Sequence, residues 1–187
     1  MNYKNDTLEK YLDDLAAKLP APGGGSAAAL TASLGAALIS MVINFTLEKP
    51  KYAKYEVELK KILEESEQLR TKFLDLVDLD VLAYKSKNIR EALDVPLMVC
   101  RLCFEGMKLC PPLIKKGNVN LISDVAVAAV LLESAFASAQ VNVEINLKMI
   151  SDKKLTKSLR KELATKRNLI KKIRSKTEVK VGAIIRG

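Results

Sequence analysis

The chain has 187 residues, is 49% hydrophobic but only 5% aromatic, and contains neither histidine nor tryptophan. That length suffices for one domain with a sizeable core, and residues 1–187 read as a single helical domain. Without histidine, no His-dependent triad, His general base or His-ligated metal is open to this chain, so acid–base work falls to Asp, Glu, Lys, Tyr or Cys. The net charge of +9 is uneven: residues 152–180 hold twelve Lys/Arg against three Asp/Glu, and the remainder is neutral overall. A neutral body with one basic helix has three readings: a solvated face, an attractor of polyanionic small molecules, or a nucleic-acid surface.

The cysteines are Cys100, Cys103 and Cys110. An odd number without a secretory signal implies a reduced, intracellular setting, read here as cytoplasmic. Cys100-x-x-Cys103 falls short of the four ligands that zinc needs, so no metal and no cofactor is expected. The three thiols share one side of a helix, the pattern of buried small apolar residues.

In chain order, Leu8, Tyr11, Leu12, Leu15 and Ala16 predict a first helix over residues 6–18, stopped by Pro20 and Pro22. Gly23, Gly24, Gly25 and Ser26 follow. Three glycines give a bare backbone that other groups can approach closely. Ser26 is placed to cap the next helix. The turn reads as a tight corner between helices or as a ligand site at a helix N-terminus. It is neither a P-loop nor a dinucleotide fingerprint. The second helix, over residues 26–46, carries no charge. It is long enough to span a membrane. Its Ala, Ser and Gly content, and the lack of a second such segment, favour a central helix of a bundle instead. Ser26, Ser33, Ser40 and Asn44 form a polar stripe on it, which suggests a partner helix or a ligand.

A basic corner at Lys49, Lys51 and Tyr52 precedes a long helix over 52–87. Its apolar face runs through Leu59, Ile62, Leu69, Phe73, Leu76 and Val77, and then reaches Asp80 and Tyr84, whereas Asp75 and Asp78 rotate to the polar side. A carboxylate on an apolar stripe is costly unless paired, and its pKa rises. Asp80 is therefore either a structural Asp bonded to a helix terminus or a Tyr, or an acid–base or nucleophilic group. After a break at 88–93, Asp94 is expected to cap a helix with Pro96 in its first turn, disturbed at Pro111-Pro112.

Gly117, Asn118, Val119 and Asn120 form a turn. Ser123 or Asp124 opens a helix to residue 150. One stripe of it holds Asp124, Ala128, Leu131, Ala135, Asn142 and Asn146, with Glu133, Gln140 and Glu144 turned to water. Asn142 and Asn146 bond each other, a neighbouring helix or a polar heterocycle. Ser151 is expected to cap the last, basic helix, whose apolar face is Leu155, Leu159, Leu163, Ile170 and Ile173, with a short apolar tail over 179–185.

Together these residues resemble a known family. Pro22-Gly23-Gly24-Gly25-Ser26 with its small-residue helix, then Asn44-Phe45-Thr46 and Lys51-Tyr52, is similar to the start of the cyclodeaminase/cyclohydrolase family. That family includes the C-terminal domain of formiminotransferase-cyclodeaminase and stand-alone methenyltetrahydrofolate cyclohydrolases. Val77-Asp78-Leu79-Asp80-Val81-Leu82-Ala83-Tyr84 resembles its Asp-x-Asp-x-x-Ala-aromatic motif, and Val95-Pro96-Leu97 a further short match. Gly117 to Asn120, Ser123-Asp124, Asn142-Val143 and Ile145-Asn146-Leu147 resemble its most specific block. Leu47, Pro50 and Pro111-Pro112 depart from the pattern.

The resemblance implies an all-α, up-and-down bundle of about five to six helices that dimerises through helix packing, with a folate site near the subunit interface. It also implies that Asp80 is catalytic. Gly23, Gly24, Gly25, Ser26, Asn44, Lys49, Tyr52, Tyr84, Asn118, Asn120, Ser123, Asp124, Asn142 and Asn146 would bind the substrate. The expected partner is a folate, polyglutamylated forms included, with no membrane and no nucleic acid. The implied activity is a 5,10-methenyltetrahydrofolate cyclohydrolase. The alternatives are a formiminotetrahydrofolate cyclodeaminase, an inactive folate-binding relative, and a basic helical nucleic-acid-binding or scaffold protein.

Overall fold

The structure, a computed structural model, describes residues 2–187. A turn of 3-10 helix at Tyr3–Asn5 leads into α1 (Leu8–Ala16), where Thr7 accepts the Lys10 N–H as N-cap. The long helices are α2 (Gly24–Asn44), α3 (Glu56–Ser86), α4 (Ile89–Lys116), α5 (Ile122–Leu147) and α6 (Lys153–Arg186). No strand occurs among the described residues. Short connections make successive helices antiparallel, which gives the expected all-α up-and-down bundle. The start of α2, the end of α3, the start of α4 and the end of α5 therefore meet at one end, here called the upper end.

Small residues set how closely the bundle packs. Ala28, Ala32 and Ala36 of α2 and Ala128, Ala129 and Ala135 of α5 are buried. A Cβ on Gly35 would lie 2.9 Å from Leu132 Cγ of α5, so glycine is what lets the two helices approach. Phe73, Phe136, Ile39, Ile43, Leu93 and Leu113 fill the remaining core, each contributing about 1.5–3 kcal/mol by leaving water. The polar stripe on α2 meets a partner helix near its C-terminal end, where Ser40 Oγ lies 2.8 Å from Ser66 Oγ of α3.

Several local expectations need correction. α2 starts at Gly24, with Gly23 as N-cap, so Ser26 lies inside the first turn and its hydroxyl faces Tyr11. Asn88, not Asp94, caps α4 by accepting the Arg90 and Glu91 N–H groups, and Asp94 pairs with Arg90 one turn earlier. Pro96, Pro111 and Pro112 all lie within α4, which continues past them because flanking Leu93, Leu97, Leu109 and Leu113 are buried in the core. Asp152, not Ser151, caps α6, accepting the Lys154 and Leu155 N–H groups. The 179–185 tail is the last turns of α6, anchored by buried Val181.

Glu133 and Glu144 are only part-exposed and do not stand free in water. α6 lies over that side of α5, pairing Arg174 with Glu133 and Arg160 with Glu144 at 2.9 Å, while Arg101 of α4 holds Glu162 at 2.8 Å. Gln140 also lies on this side, with its Oε1 buried. The outward residues of α5 carry no charge: Val127, Val130, Val141 and Ile145, with Ser123, Ser134 and Ser138 among them. α5 is thus a second helix long and apolar enough to cross a membrane, which the sequence reading had not counted; the bundle buries 61% of the α2 stretch and 39% of the α5 one.

Candidate active site

The glycine turn leaves the Gly24, Gly25 and Ser26 N–H groups without an intrahelical acceptor at the upper end of the bundle, the first such bond being from the Ala27 N–H to the Gly23 carbonyl. Gly23 supplies no side-chain cap, so the first turn of α2 keeps its N–H groups and the positive end of its dipole for other partners. One partner comes from α3: the Ser26 N–H donates to Asp80 Oδ2 at 2.9 Å. The carboxylate lies so close that a Cβ on Gly25 would overlap it, with Asp80 Cγ only 2.7 Å away. Glycine at 25 is what admits Asp80 to the turn.

Asp80 is half-buried on the wall of a cleft of about 250 Å³, lined also by Gly23, Gly24, Gly25, Tyr84, Ala92, Asn142 and Asn146. Burial raises the Asp80 carboxyl above the usual carboxylate range, and the Ser26 N–H pulls it partly back. Such a group exchanges protons nearer neutrality than a free aspartate does.

Asn142 and Asn146 do not bond each other. Asn142 Nδ2 donates to the Ser138 carbonyl at 3.0 Å, and Asn146 Nδ2 to the Ala92 carbonyl of α4 at 2.5 Å. Each amide keeps its oxygen and a second N–H for a ligand in the cleft, so both can accept and donate there. Tyr84 stands exposed at the mouth.

Asp78 does something different. It accepts the Tyr3 N–H at 2.7 Å and the Lys4 N–H at 3.4 Å, while Asp75 pairs with Lys4 Nζ at 2.7 Å. Their side of α3 is covered by the N-terminal arm.

The other expected binding residues lie elsewhere. Asn44, Lys49, Tyr52, Asn118, Asn120, Ser123 and Asp124 gather at the lower end, about 30 Å away along the 21 residues of α2. There the Asn118 N–H donates to Thr46 Oγ1 at 2.8 Å and its side-chain amide to the Phe45 carbonyl at 3.2 Å. Tyr52, nearly buried, accepts the Val119 N–H at 3.1 Å, and Asn118 Oδ1 accepts the Asn120 N–H at 3.2 Å. These bonds join the α2 terminus to the α4–α5 turn. Asn44, Lys49, Asn120 and Ser123 are exposed and Asp124 is half-buried.

Sequence reasoning missed Tyr11, whose hydroxyl lies 3.2 Å from Ser26 Oγ. A tyrosine within the leucine repeat of the first helix was the available signal. Among the described residues no group of three or more His, Cys, Asp or Glu is arranged to hold a metal. The three cysteines are buried, with Cys100 and Cys110 pushed up to about 12 by burial, and are unreactive at neutral pH.

Comparison with known proteins bears on this site. The sequence pattern of the formiminotransferase-cyclodeaminase family matches residues 7–87 and 85–165. A methenyltetrahydrofolate cyclohydrolase from Methylorubrum extorquens is 39% identical over 182 residues, spanning 85% of this chain and 88% of that protein. The formimidoyltransferase-cyclodeaminase of Rattus norvegicus is 28% identical over 169 residues, and the match covers 31% of its length. The crystal structure of formiminotetrahydrofolate cyclodeaminase from Thermotoga maritima superposes with a TM-score of 0.93 at 31% identity, over 98% of this chain and 99% of that one. A family pattern covering most of the chain, and near-complete superposition on a solved member, place this protein in the formiminotransferase-cyclodeaminase family.

Proposed function

We propose that the protein is a folate one-carbon enzyme acting at the N5/N10 bridge of tetrahydrofolate, and that its reaction is 5,10-methenyltetrahydrofolate hydrolysis. The observation that carries this is a lone carboxylate of raised pKa, Asp80, set against bare helix N–H groups in a cleft. The end-to-end likeness to the Methylorubrum cyclohydrolase supports the choice of reaction. In the hydrolysis, water adds to the cationic methenyl carbon and Asp80 takes the proton that water loses. The tetrahedral carbon then collapses: the C–N5 bond breaks, N5 takes the proton back from Asp80, and the hydroxyl releases its proton as the 10-formyl carbonyl forms. One general acid–base group suffices for both transfers. The carboxylate also faces a cationic substrate, to which its charge is complementary.

The cleft is below the roughly 300–1,000 Å³ that encloses a whole drug-sized ligand. It therefore takes the ring system, oriented by the Asn142 and Asn146 oxygens and the Gly24 and Gly25 N–H groups. The glutamate tail lies outside.

The second reading is a cyclodeaminase, favoured by the superposition on the Thermotoga enzyme. There N10 attacks the formimino carbon, and the same carboxylate hands a proton to the departing ammonia. Mixing the protein with each substrate separates the two. Loss of the near-ultraviolet chromophore of 5,10-methenyltetrahydrofolate is the expected result. Appearance of that chromophore with ammonia release, from 5-formiminotetrahydrofolate alone, would assign the second reaction. Inertness towards both would refute the catalytic reading and turn attention to α6.

The working unit in this reading is a homodimer. α2 and α5 pack side by side, and both leave an uncharged outer edge: Leu34 on α2 and Phe45 just past its end, Val127, Val130, Val141 and Ile145 on α5. Exposed apolar side chains grouped on one face are a feature of interaction sites. A face without charge along both helices is self-complementary about a twofold axis, as a second copy requires. With the two copies antiparallel, the lower-end residues Lys49, Asn118 and Asn120 of one protomer lie beside the cleft of its partner, where Lys49 and Lys51 would meet the anionic glutamate tail.

A further inference from the structure

We infer that Tyr11 is a positioning residue of the Asp80 site: through Ser26 it fixes the N–H group that holds the Asp80 carboxylate. The inference rests on the proposed role of Asp80 for its catalytic consequence, but not for its geometry.

α1 is a nine-residue helix whose Leu8 and Leu12 are largely exposed, yet Tyr11 is 3% exposed. Burying a phenol requires a partner for its hydroxyl. That partner is Ser26 Oγ at 3.2 Å, and Ser26 is itself fully buried. The same residue's N–H donates to Asp80 at 2.9 Å. On the other side the Tyr11 ring meets Tyr3 edge-on, with centroids 5.3 Å apart. Tyr3 donates its hydroxyl to Asp14 at 2.9 Å and its N–H to Asp78 at 2.7 Å. The contacts form a closed circuit that leaves α3 at Asp78, passes through Tyr3, Tyr11 and Ser26, and returns to α3 two residues later at Asp80. A circuit of this kind fixes one carboxylate against the other end of the same helical turn.

The charged and titratable surroundings of Asp80 are sparse. α2 carries no titratable side chain, α5 presents Asn142 and Asn146, α4 presents Ala92, α3 itself presents Tyr84, and α1 presents Tyr11. Burial pushes the Tyr11 hydroxyl above its ordinary range; the Ser26 hydrogen bond pulls it partly back and the negative charge of Asp80 adds a smaller rise, so it stays protonated at neutral pH. Tyr11 thus acts by hydrogen bonding and not by charge.

Tyr11→Phe keeps the ring and removes the hydroxyl. The Asp80 carboxyl titration, followed by carbon NMR in the substrate-free protein, is expected to move to higher pH because the Ser26 N–H is less firmly held. In turnover of 5,10-methenyltetrahydrofolate, kcat is expected to fall by about tenfold, with KM within about twofold, since small misplacements of a reacting group are expensive. Ser26→Ala, which removes the other half of the contact, should produce the same two changes, and the double variant no further loss. An Asp80 titration unchanged in both variants would overturn the inference, whatever happens to kcat. A shifted titration in a protein that proves inactive would sustain it while the proposed reaction falls.

Discussion

Asp78 and Asp80 are two residues apart on α3 and do different work. Asp78 anchors the backbone of the N-terminal arm, and Asp80 turns into the cleft. A group that folding drives towards its neutral form weakens the fold when it ionises. With the Asp80 pKa raised in the folded state, the unfolded chain releases its proton first as pH climbs. Stability therefore falls with rising pH between the ordinary aspartate pKa and the raised one, and the penalty persists above. Asp80→Asn removes that penalty. Its melting temperature is expected to exceed wild type by about 2 °C or more at pH 7, with the gap closing below the ordinary aspartate pKa. Thermal unfolding at both pH values checks this, and a destabilised variant at pH 7 would contradict it. Asp80 was legible in the sequence because 100° per residue carries an apolar stripe directly onto it. The work of Asp78 was not, since its partners, the Tyr3 and Lys4 N–H groups, lie more than 70 residues away in the chain.

α2 is pinned at both ends by groups from elsewhere. At the upper end Asp80 takes the Ser26 N–H. At the lower end buried Thr46 donates to the Val42 carbonyl and accepts the Asn118 N–H at 2.8 Å. Thr46→Val keeps the shape and leaves a buried N–H without a partner. It is expected to cost about 1–3 kcal/mol in chemical denaturation, and a neutral result would mean the α4–α5 turn is not tied to α2. Helical periodicity located every long helix, because burial follows one face of each. The ends were harder. Ser26, Asp94 and Ser151 all had the chemistry of caps, but Gly23, Asn88 and Asp152 hold those positions, since the path of the incoming chain decides which residue takes the extended conformation. Glu133 and Glu144 were misplaced for a related reason: rotation gives the face opposite the core, and α6 covers that face.

The whole bundle keeps its cationic surface on α6 and its uncharged surface on α2 and α5. The first is an exposed face held to the bundle by Arg174 and Arg160 of α6 on Glu133 and Glu144, and by Glu162 of α6 on Arg101. The second is the surface proposed for a second copy. In sedimentation equilibrium the protein is expected at twice its 20.6 kDa chain mass. Leu34→Lys with Val141→Lys, placing charge on both outer edges, is expected to give a helical monomer with weakened activity. A monomeric wild type would contradict the proposed pairing. The bundle and its family were readable from residue patterns. The 30 Å separation of the two groups of expected binding residues was not, because a linear motif does not tell which end of an antiparallel bundle it reaches.

The most direct test is the turnover of 5,10-methenyltetrahydrofolate by wild type and Asp80→Asn, with folate binding to the variant measured in parallel. Asp80 as the proton-transfer group predicts a fall in kcat of about 10²–10⁴ with binding retained. Activity within tenfold of wild type, in a variant that binds the folate equally well, would contradict the account at its centre.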